Sequence, residues 1–396
     1  MKIAIINSVY KTGSTGRISF EMNHFFKNNG YDSKVFFGRG EPDRDAIRFC
    51  SSFSVLFHAG LSRIFDSSGF VASRHSTKRL IRLLTEYKPD LIVANNLHGY
   101  YLNFSLFMKY VASSKVKIIF VLHDCWLFTG HCAYFDLVNC TKWQQECNNC
   151  PNKLMYPKSV LFDFSRRNYC KKKNLFSILD TNNVSIVTPS NWLQQKVKSS
   201  LLRRFNSVVI NNGIDTSMFV NKYRNLKINT SKKTVLSIAN VWTEAKGLKD
   251  LIKLAAFFKD KDVKIVAIGK MKNKVELPAN IFHVERTNNL KQLIEYYNDA
   301  DVFFNPTYED NYPTVNLEAL ACGLPVVSYN TGGSCEIIDK RYSVEKGDIK
   351  SACKKIQELL NNSGDYFFPD AISLSKEVSY KKYVDLIERL LNNEKI

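Results

Sequence analysis

Short apolar runs alternate with longer stretches of helical period along almost the whole chain. Lys2–Ile6, Ser33–Phe37, Leu91–Ala94, Val116–Leu122, Val184–Thr188 and Ser207–Ile210 each read as a buried strand. A second series follows at Lys233–Ile238, Lys264–Ile268, Ile281–Val284, Asp301–Asn305 and Pro325–Ser328. The runs are nearly continuously apolar rather than alternating, so each strand is buried on both faces. Strands of that kind belong to parallel sheets covered by crossover helices. Two such series predict an α/β chain of two Rossmann-like domains. Their boundary falls in Asn211-Asn212-Gly213-Ile214-Asp215, giving a first domain over 1–212 and a second over 213–379. A last helical stretch, 380–396, is long enough to pack back on the first domain.

Composition narrows the class. The 396 residues include 45% hydrophobic positions, enough for two full cores, and carry a formal charge of +19. Nucleic acid, an anionic membrane surface or phosphorylated substrates could each answer that charge. The cations are dispersed, with small clusters at Arg166-Arg167, Lys171-Lys172-Lys173, Arg203-Arg204 and Lys232-Lys233. No basic arm is present, which argues against a nucleic-acid partner. The longest apolar runs, such as Ile118–Leu122, are far short of a membrane span, and Lys2 precedes only four apolar residues, too few for a signal peptide. The expected location is the cytoplasm, with peripheral contact on the cytoplasmic face of the inner membrane as one option. The ten cysteines are then expected as thiols or metal ligands rather than disulfides.

In parallel sheets, ligands bind beyond the carboxyl ends of the strands. Four loops there carry candidate chemistry. Lys11–Arg17, with Gly13 and Gly16, follows the first strand and opens a helix, so its backbone N–H groups suit an anionic or polar ligand. His123-Asp124 follows the strand 116–122, with Asp124 or a backbone carbonyl available to fix the imidazole tautomer. Asp310 and Glu318 bracket a loop entering a helix over 313–322. Pro313 suits its start, and Gly323 with Pro325 suits its end. That spacing puts the two carboxylates roughly 10 Å apart, and carboxylates accept hydrogen bonds from hydroxyls. Thr331-Gly332-Gly333 is expected to precede a helix near Ser334, a start that suits a diphosphate.

Cys132, Cys140, Cys147 and Cys150 form a separate cluster, ending Cys-x-x-Cys-Pro. Four thiols within nineteen residues fit a tetrahedral zinc site, and a closed set of four would be structural rather than catalytic. Free thiols or disulfides are the other reading. The surrounding stretch, 125–157, is aromatic and reads as an insertion in the first domain.

The run Asp310–Val327 resembles the acidic signature of glycosyltransferase family 4: two acids separated by seven residues, then Ala-x-Ala-Cys-Gly-x-Pro-Val. Asp310 stands where that family has Glu. Lys246-Gly247 matches its Lys-Gly pair, while Val241 stands near the place of an accompanying Arg, with Lys270 and Arg286 as possible substitutes. The stretch from His123 through Cys150-Pro151 is similar to a subset of colanic-acid and surface-polysaccharide sugar transferases.

The resemblance implies the GT-B fold, with a catalytic cleft between the domains. It also implies a retaining, nucleotide-sugar-dependent hexosyltransferase with no catalytic metal, acting on a saccharide or lipid-linked saccharide acceptor. By the same resemblance Glu318 binds the ribose. Asp310 and the Asn311-Tyr312-Pro313-Thr314 backbone hold the sugar. Lys246, Gly332 and Gly333 stabilise the diphosphate, and His123 with the Gly13–Gly16 loop positions sugar and acceptor. The substitutions at Asp310 and Val241 leave open a second class, a GT-B protein that binds sugar or nucleotide without catalysis.

Overall fold

A computed structural model describes residues 1–221, 232–361 and 366–394. The chain divides into one unit of Met1–Ile210 with Tyr380–Ile396 and a second of Asn211–Ser379. The first is built on seven strands: β1 (Lys2–Val9), β2 (Asp32–Arg39), β3 (Ala46–Arg48), β4 (Leu91–Ala94), β5 (Lys117–Val121), β6 (Val184–Thr188) and β7 (Asn206–Val209). The second has six: β8 (Lys233–Trp242), β9 (Val263–Met271), β10 (Ile281–Val284), β11 (Val302–Asn305), β12 (Val326–Tyr329) and β13 (Ser343–Val344). All ladders between these strands are parallel.

Strand order is β3-β2-β1-β4-β5-β6-β7 in the first sheet and β10-β9-β8-β11-β12-β13 in the second. Each order reverses direction once, between β1 and β4 and between β8 and β11. At such a reversal the connecting helices go to opposite faces, which opens a crevice at the carboxyl ends of the two central strands. The α/β class expected from the sequence is the one observed.

Burial on both faces explains the continuous apolar runs. Ile3 and Ile5 pack on one side of the first sheet with Leu91, Val93, Ile119 and Val121. Ala4 and Ile6 pack on the other with Ile92, Ala94, Ile118 and Phe120. The period of two assigns neighbours to opposite cores. The helix Lys376–Leu391 contributes Tyr380, Tyr383, Leu386, Ile387 and Leu390 to the first of these cores. Its end is fixed by Lys117 Nζ, which donates to Leu391 O at 3.0 Å and Asn393 Oδ1 at 2.7 Å.

Two edge strands, β3 and β13, lie outside the sequence expectation. They are three and two residues long, too short to carry a pattern. Strands β8 and β9 run further than expected, through a register shift between Ile238 and Val241. That shift places Val241 opposite Lys270 and Trp242 opposite Met271.

Candidate active site

The second unit gathers its chemistry at the β8/β11 crevice. Lys246 lies in the turn after β8, and Gly247 closes that turn at φ +77°. A Cβ there would meet the Pro306 carbonyl oxygen at 2.2 Å, so only glycine lets the two loops approach. Tyr308 N donates to Ala245 O at 2.8 Å and joins the loops again. The result brings Lys246 Nζ to 2.7 Å from Asp310 Oδ2, with Glu309 O at 3.3 Å and Thr307 Oγ1 at 3.4 Å. Both side chains remain partly open to solvent.

The expected helix forms over Thr314–Ala321, with Pro313 in the capping position before it. Gly323 follows at φ +69°, and its N–H donates to Leu320 O at 2.9 Å. Asn311, Tyr312 and Pro313 are buried and Thr314 half-buried, so this segment presents its backbone. Asn311 N donates to Asp310 Oδ1 at 2.9 Å. Burial pushes the Tyr312 phenol well above its ordinary range. Glu318 is 4% exposed and accepts a 2.9 Å hydrogen bond from Tyr297 OH.

The Gly332 turn sits directly on this segment. Gly332 has φ +58°, and a Cβ would meet Asp310 O at 1.8 Å. The expectation of a helix starting near Ser334 is not met: the backbone after Gly333 turns instead and continues toward β13. The reason is local. Ser334 Oγ donates to Tyr329 O at 2.7 Å and accepts from Thr331 N at 3.3 Å, tying the segment back to the end of β12. Asn316 fixes it from below by donating to Ser334 O and accepting from Asn305, each at 2.9 Å. Gly332 and Gly333 therefore stand beside Asp310 as part of a turn, without a helix start behind them.

Lys270 and Arg286, named as substitutes for the absent Arg, lie at the ends of neighbouring strands. Lys270 is the register partner of Val241 on β9 and is exposed. Arg286 is exposed two residues beyond β10.

In the first unit the helix begins at Gly13, which has φ +66° and open space around it. Gly16 packs against Val9 and the Tyr10–Lys11 backbone. Lys11 pairs with Asp43 at 2.8 Å. His123 follows β5, with Nε2 at 3.2 Å from Asn95 Oδ1. Burial lowers its pKa to about 4, which keeps the imidazole neutral.

Asp124 does not orient His123, as the sequence suggested it could. It is committed to His98, whose Nε2 lies 2.6 Å from Asp124 Oδ2, and to Trp126 N at 2.9 Å. Burial works to raise that carboxyl, but His98 and the Trp126 N–H outweigh it and hold it below the usual range. His98 also reaches Tyr156 OH at 3.1 Å. Sequence reasoning missed His98, although it stands just beyond the carboxyl end of β4, the criterion that selected His123. Tyr297 and Asp250, which accepts from Tyr308 OH and Tyr329 OH, carried no sequence signal.

The 125–157 stretch packs around Phe128, Phe135 and Trp143, with the Phe135 and Trp143 rings stacked at 4.9 Å. Cys132, Cys140, Cys147 and Cys150 all line one small cavity with His131 and Ser165. Gly130 N donates to Cys147 Sγ at 3.2 Å. All four are free thiols. Among the described residues no three His, Cys, Asp or Glu side chains are close enough together, as placed, to hold a metal ion. The donor set suits zinc, but its sulfurs stand around the cavity rather than closed on one point. His131 belongs to the core: its Nδ1 is 2.5 Å from Asp66 Oδ1, both side chains being buried.

Comparison with known proteins bears on these loops. Residues 221–383, which span the second unit's sheet, match the sequence model of the family described as Glycosyl transferases group 1. The chain is 23% identical over 358 residues, 86% of each sequence, to the "Putative colanic acid biosynthesis glycosyl transferase WcaC" of Escherichia coli (strain K12). It is 26% identical over 184 residues to the N,N'-diacetylbacillosaminyl-diphospho-undecaprenol alpha-1,3-N-acetylgalactosaminyltransferase of Campylobacter jejuni, matching 43% of this chain and 48% of that enzyme. The solved structure of Anabaena HepE in complex with UDP aligns over 98% of this chain and 100% of its own, at TM-score 0.64 and 14% identity. The fold is thus GT-B, and Lys246, Asp310, Glu318 and Gly332 all lie within the residues that match the group 1 glycosyl transferase model.

Proposed function

We propose that the chain transfers a hexosyl group from a nucleotide-sugar to a saccharide acceptor, with retention at the anomeric carbon and without a catalytic metal. The observation that carries this is the Lys246–Asp310 pair at the β8/β11 crevice, with the Gly332 turn against the Asp310 backbone. One place then offers a cation for a diphosphate, a carboxylate for sugar hydroxyls, and turn N–H groups. Glu318, held by Tyr297, is the ribose partner.

In the reaction, the bond from the anomeric carbon to the diphosphate oxygen breaks and negative charge grows on the leaving group. Lys246 exchanges Asp310 for that oxygen, and Lys270, opposite Val241, supplies the second cation. The released Asp310 carboxylate then accepts from the sugar. The acceptor hydroxyl adds on the face the nucleotide leaves, and its proton departs with the diphosphate. Charge stabilisation of this kind is commonly the largest single contribution to rate. His123, neutral and hydrogen-bonded to Asn95, serves as a positioning group.

The relatives' names support the substrate classes. HepE was solved with UDP, and also with UDP-glucose. The Campylobacter enzyme is named for a diphospho-undecaprenol acceptor, and the Escherichia coli relative for colanic acid biosynthesis. Surface polysaccharide synthesis on a lipid-linked acceptor is the corresponding role here. The test is a panel of nucleotide-sugars scored by thermal stabilisation, then by nucleotide release with and without a lipid-linked saccharide. Stabilisation by one donor and acceptor-dependent release are expected. Stabilisation without release under any acceptor would favour the binding-only class, and no stabilisation by any donor would refute the assignment.

The four cysteines are proposed to close on one structural zinc. Elemental analysis of protein purified without added metal should give about one zinc per chain. Four alkylatable thiols and no zinc would remove the site.

A further inference from the structure

The helix Ser52–Phe65 is built inside out. Its buried residues are His58, Ala59 and Ser62. His58 Nδ1 lies 2.7 Å from Ser73 Oγ, and Ser62 Oγ lies 2.8 Å from Ser67 Oγ. Phe53, Leu56 and Phe57, at helical spacing, instead face outward with 77%, 71% and 56% of their surface exposed. An amphipathic helix of a soluble domain places its apolar stripe on the core, so this one offers that stripe to something else.

The stripe is not isolated. Val160 N donates to Arg63 O at 2.6 Å and Phe162 N to Ile64 O at 3.1 Å, which lays the loop 154–162 along the helix end. The Phe65 and Phe162 rings stack at 5.5 Å and 5°. That loop adds exposed Leu154, Leu161 and Phe162. Eleven of the twenty-two large apolar side chains exposed among the described residues fall in these two segments. A contiguous apolar patch on this scale marks an interaction surface.

Charge identifies the occupant. Arg63 and Lys158 lie within the two segments, Lys153 adjoins the loop, and Arg167 lies over the Phe164 ring at 4.5 Å, itself stacked on Phe162. The sole carboxylate within residues 52–65 and 153–167, Asp163, is engaged by Cys150 N and Ser165 N. Apolar side chains that can enter acyl chains, with cations beside them and no free acid, match an anionic bilayer surface. We propose that the helix Ser52–Phe65 and the loop 154–162 together form a face that docks the first unit on anionic lipid. The inference rests on this surface alone and holds whether or not the transferase assignment does.

Flotation of the full-length chain with vesicles tests it without any sugar. With vesicles of phosphatidylglycerol and phosphatidylcholine the wild type should float. With phosphatidylcholine alone it should float at least tenfold less. The triple variant Phe53→Ser, Leu56→Ser, Phe57→Ser should lose at least tenfold of its binding while keeping its melting temperature, because all three side chains face outward. Wild type that stays unbound with both vesicles would overturn the proposal, as would a folded triple variant that floats like wild type. Equal flotation on both lipids would overturn the anionic requirement. A wild-type dimer that the triple substitution converts to monomer, with no lipid binding by either, would reassign the face to self-association.

Discussion

Lys246 and Asp310 in the second unit keep 37% and 22% of their side-chain surface open, whereas His131 and Asp66 in the first keep 1% and 2%. Both are ion pairs, but they do different work. The open pair sits at a strand-order reversal and can exchange partners with a ligand. The buried pair joins the Cys-rich stretch to the end of the helix Ser52–Phe65, and Asp66 also accepts from Phe164 N at 3.0 Å. Lys172 follows the buried pattern. Fully buried, it stands over the Trp126 ring at 3.5 Å and donates to Thr129 O at 2.9 Å. The buried charges of the first unit thus hold an irregular segment, while the Lys246–Asp310 pair is left for chemistry. A charge without water is costly unless paired, so Asp66 is met by His131 and the Phe164 N–H, and Lys172 by backbone carbonyls.

Substitutions can break this contrast at either end. The largest effect is expected from Asp66→Leu. Removing one partner of a buried pair costs about 3–5 kcal/mol, read by urea unfolding, while nucleotide-sugar binding by the second unit should survive in the folded fraction. A loss below about 1 kcal/mol would show that the pair is not a structural tie.

Next comes Lys246→Met, which keeps much of the stem and removes the ammonium. If Lys246 stabilises the leaving diphosphate, single-turnover rates at saturating donor should fall about 10²-fold. Stability should change little, since a partly exposed pair contributes about 0–1 kcal/mol. An unchanged rate with weakened donor binding would reduce Lys246 to a ground-state contact. No change in either would move the diphosphate site toward Lys270 or Arg286.

Glu318→Gln sharpens the comparison inside the second unit, because Glu318 is buried yet assigned to ligand. Donor affinity should fall by about 1.5–3 kcal/mol, the value of a hydrogen bond to a charged group. If instead only stability falls, and donor affinity holds, Glu318 is a structural partner of Tyr297.

A pH dependence tests the buried end of the comparison. Burial lowers the Lys172 pKa to about 7, against about 10.4 for an unperturbed lysine. Between those values the unfolded chain binds the extra proton, so Lys172 makes stability rise with pH from about 7 to 10. The unfolding free energy of wild type minus that of Lys172→Met should therefore increase over that window. A flat difference would mean the ammonium stays charged in the fold.

How much of this was legible varies with the kind of signal. Asp310 and Glu318 were marked by local pattern, since a proline before the helix and a glycine after it each answer a backbone requirement, whereas Lys246-Gly247 was marked by the family resemblance. The turn after Gly333 was misread as a helix start because Ser334 bonds back to Tyr329, a contact the residue order does not announce. Lys172 was read only as part of a local basic cluster, yet it is the member of Lys171-Lys172-Lys173 that the helix Ser165–Ser177 directs into the core. Asp124 was one of two groups, with a backbone carbonyl, expected to be available to its neighbour His123, and the fold gave it to His98.

Period and composition alone determined that the chain would form two parallel sheets. Each strand must bury both faces, and a continuous apolar run is the direct record of that need. Turn glycines likewise record positions where a Cβ would strike a neighbouring carbonyl. Which ionisable groups meet is a different matter. His98 and Asp124 are 26 residues apart, and Lys246 and Asp310 are 64 apart. Their pairing follows from strand order, which sets loops side by side irrespective of separation along the chain. The sequence holds the residues, but the neighbouring of β4 with β5 and of β8 with β11 decides which of them share a dielectric and a partner.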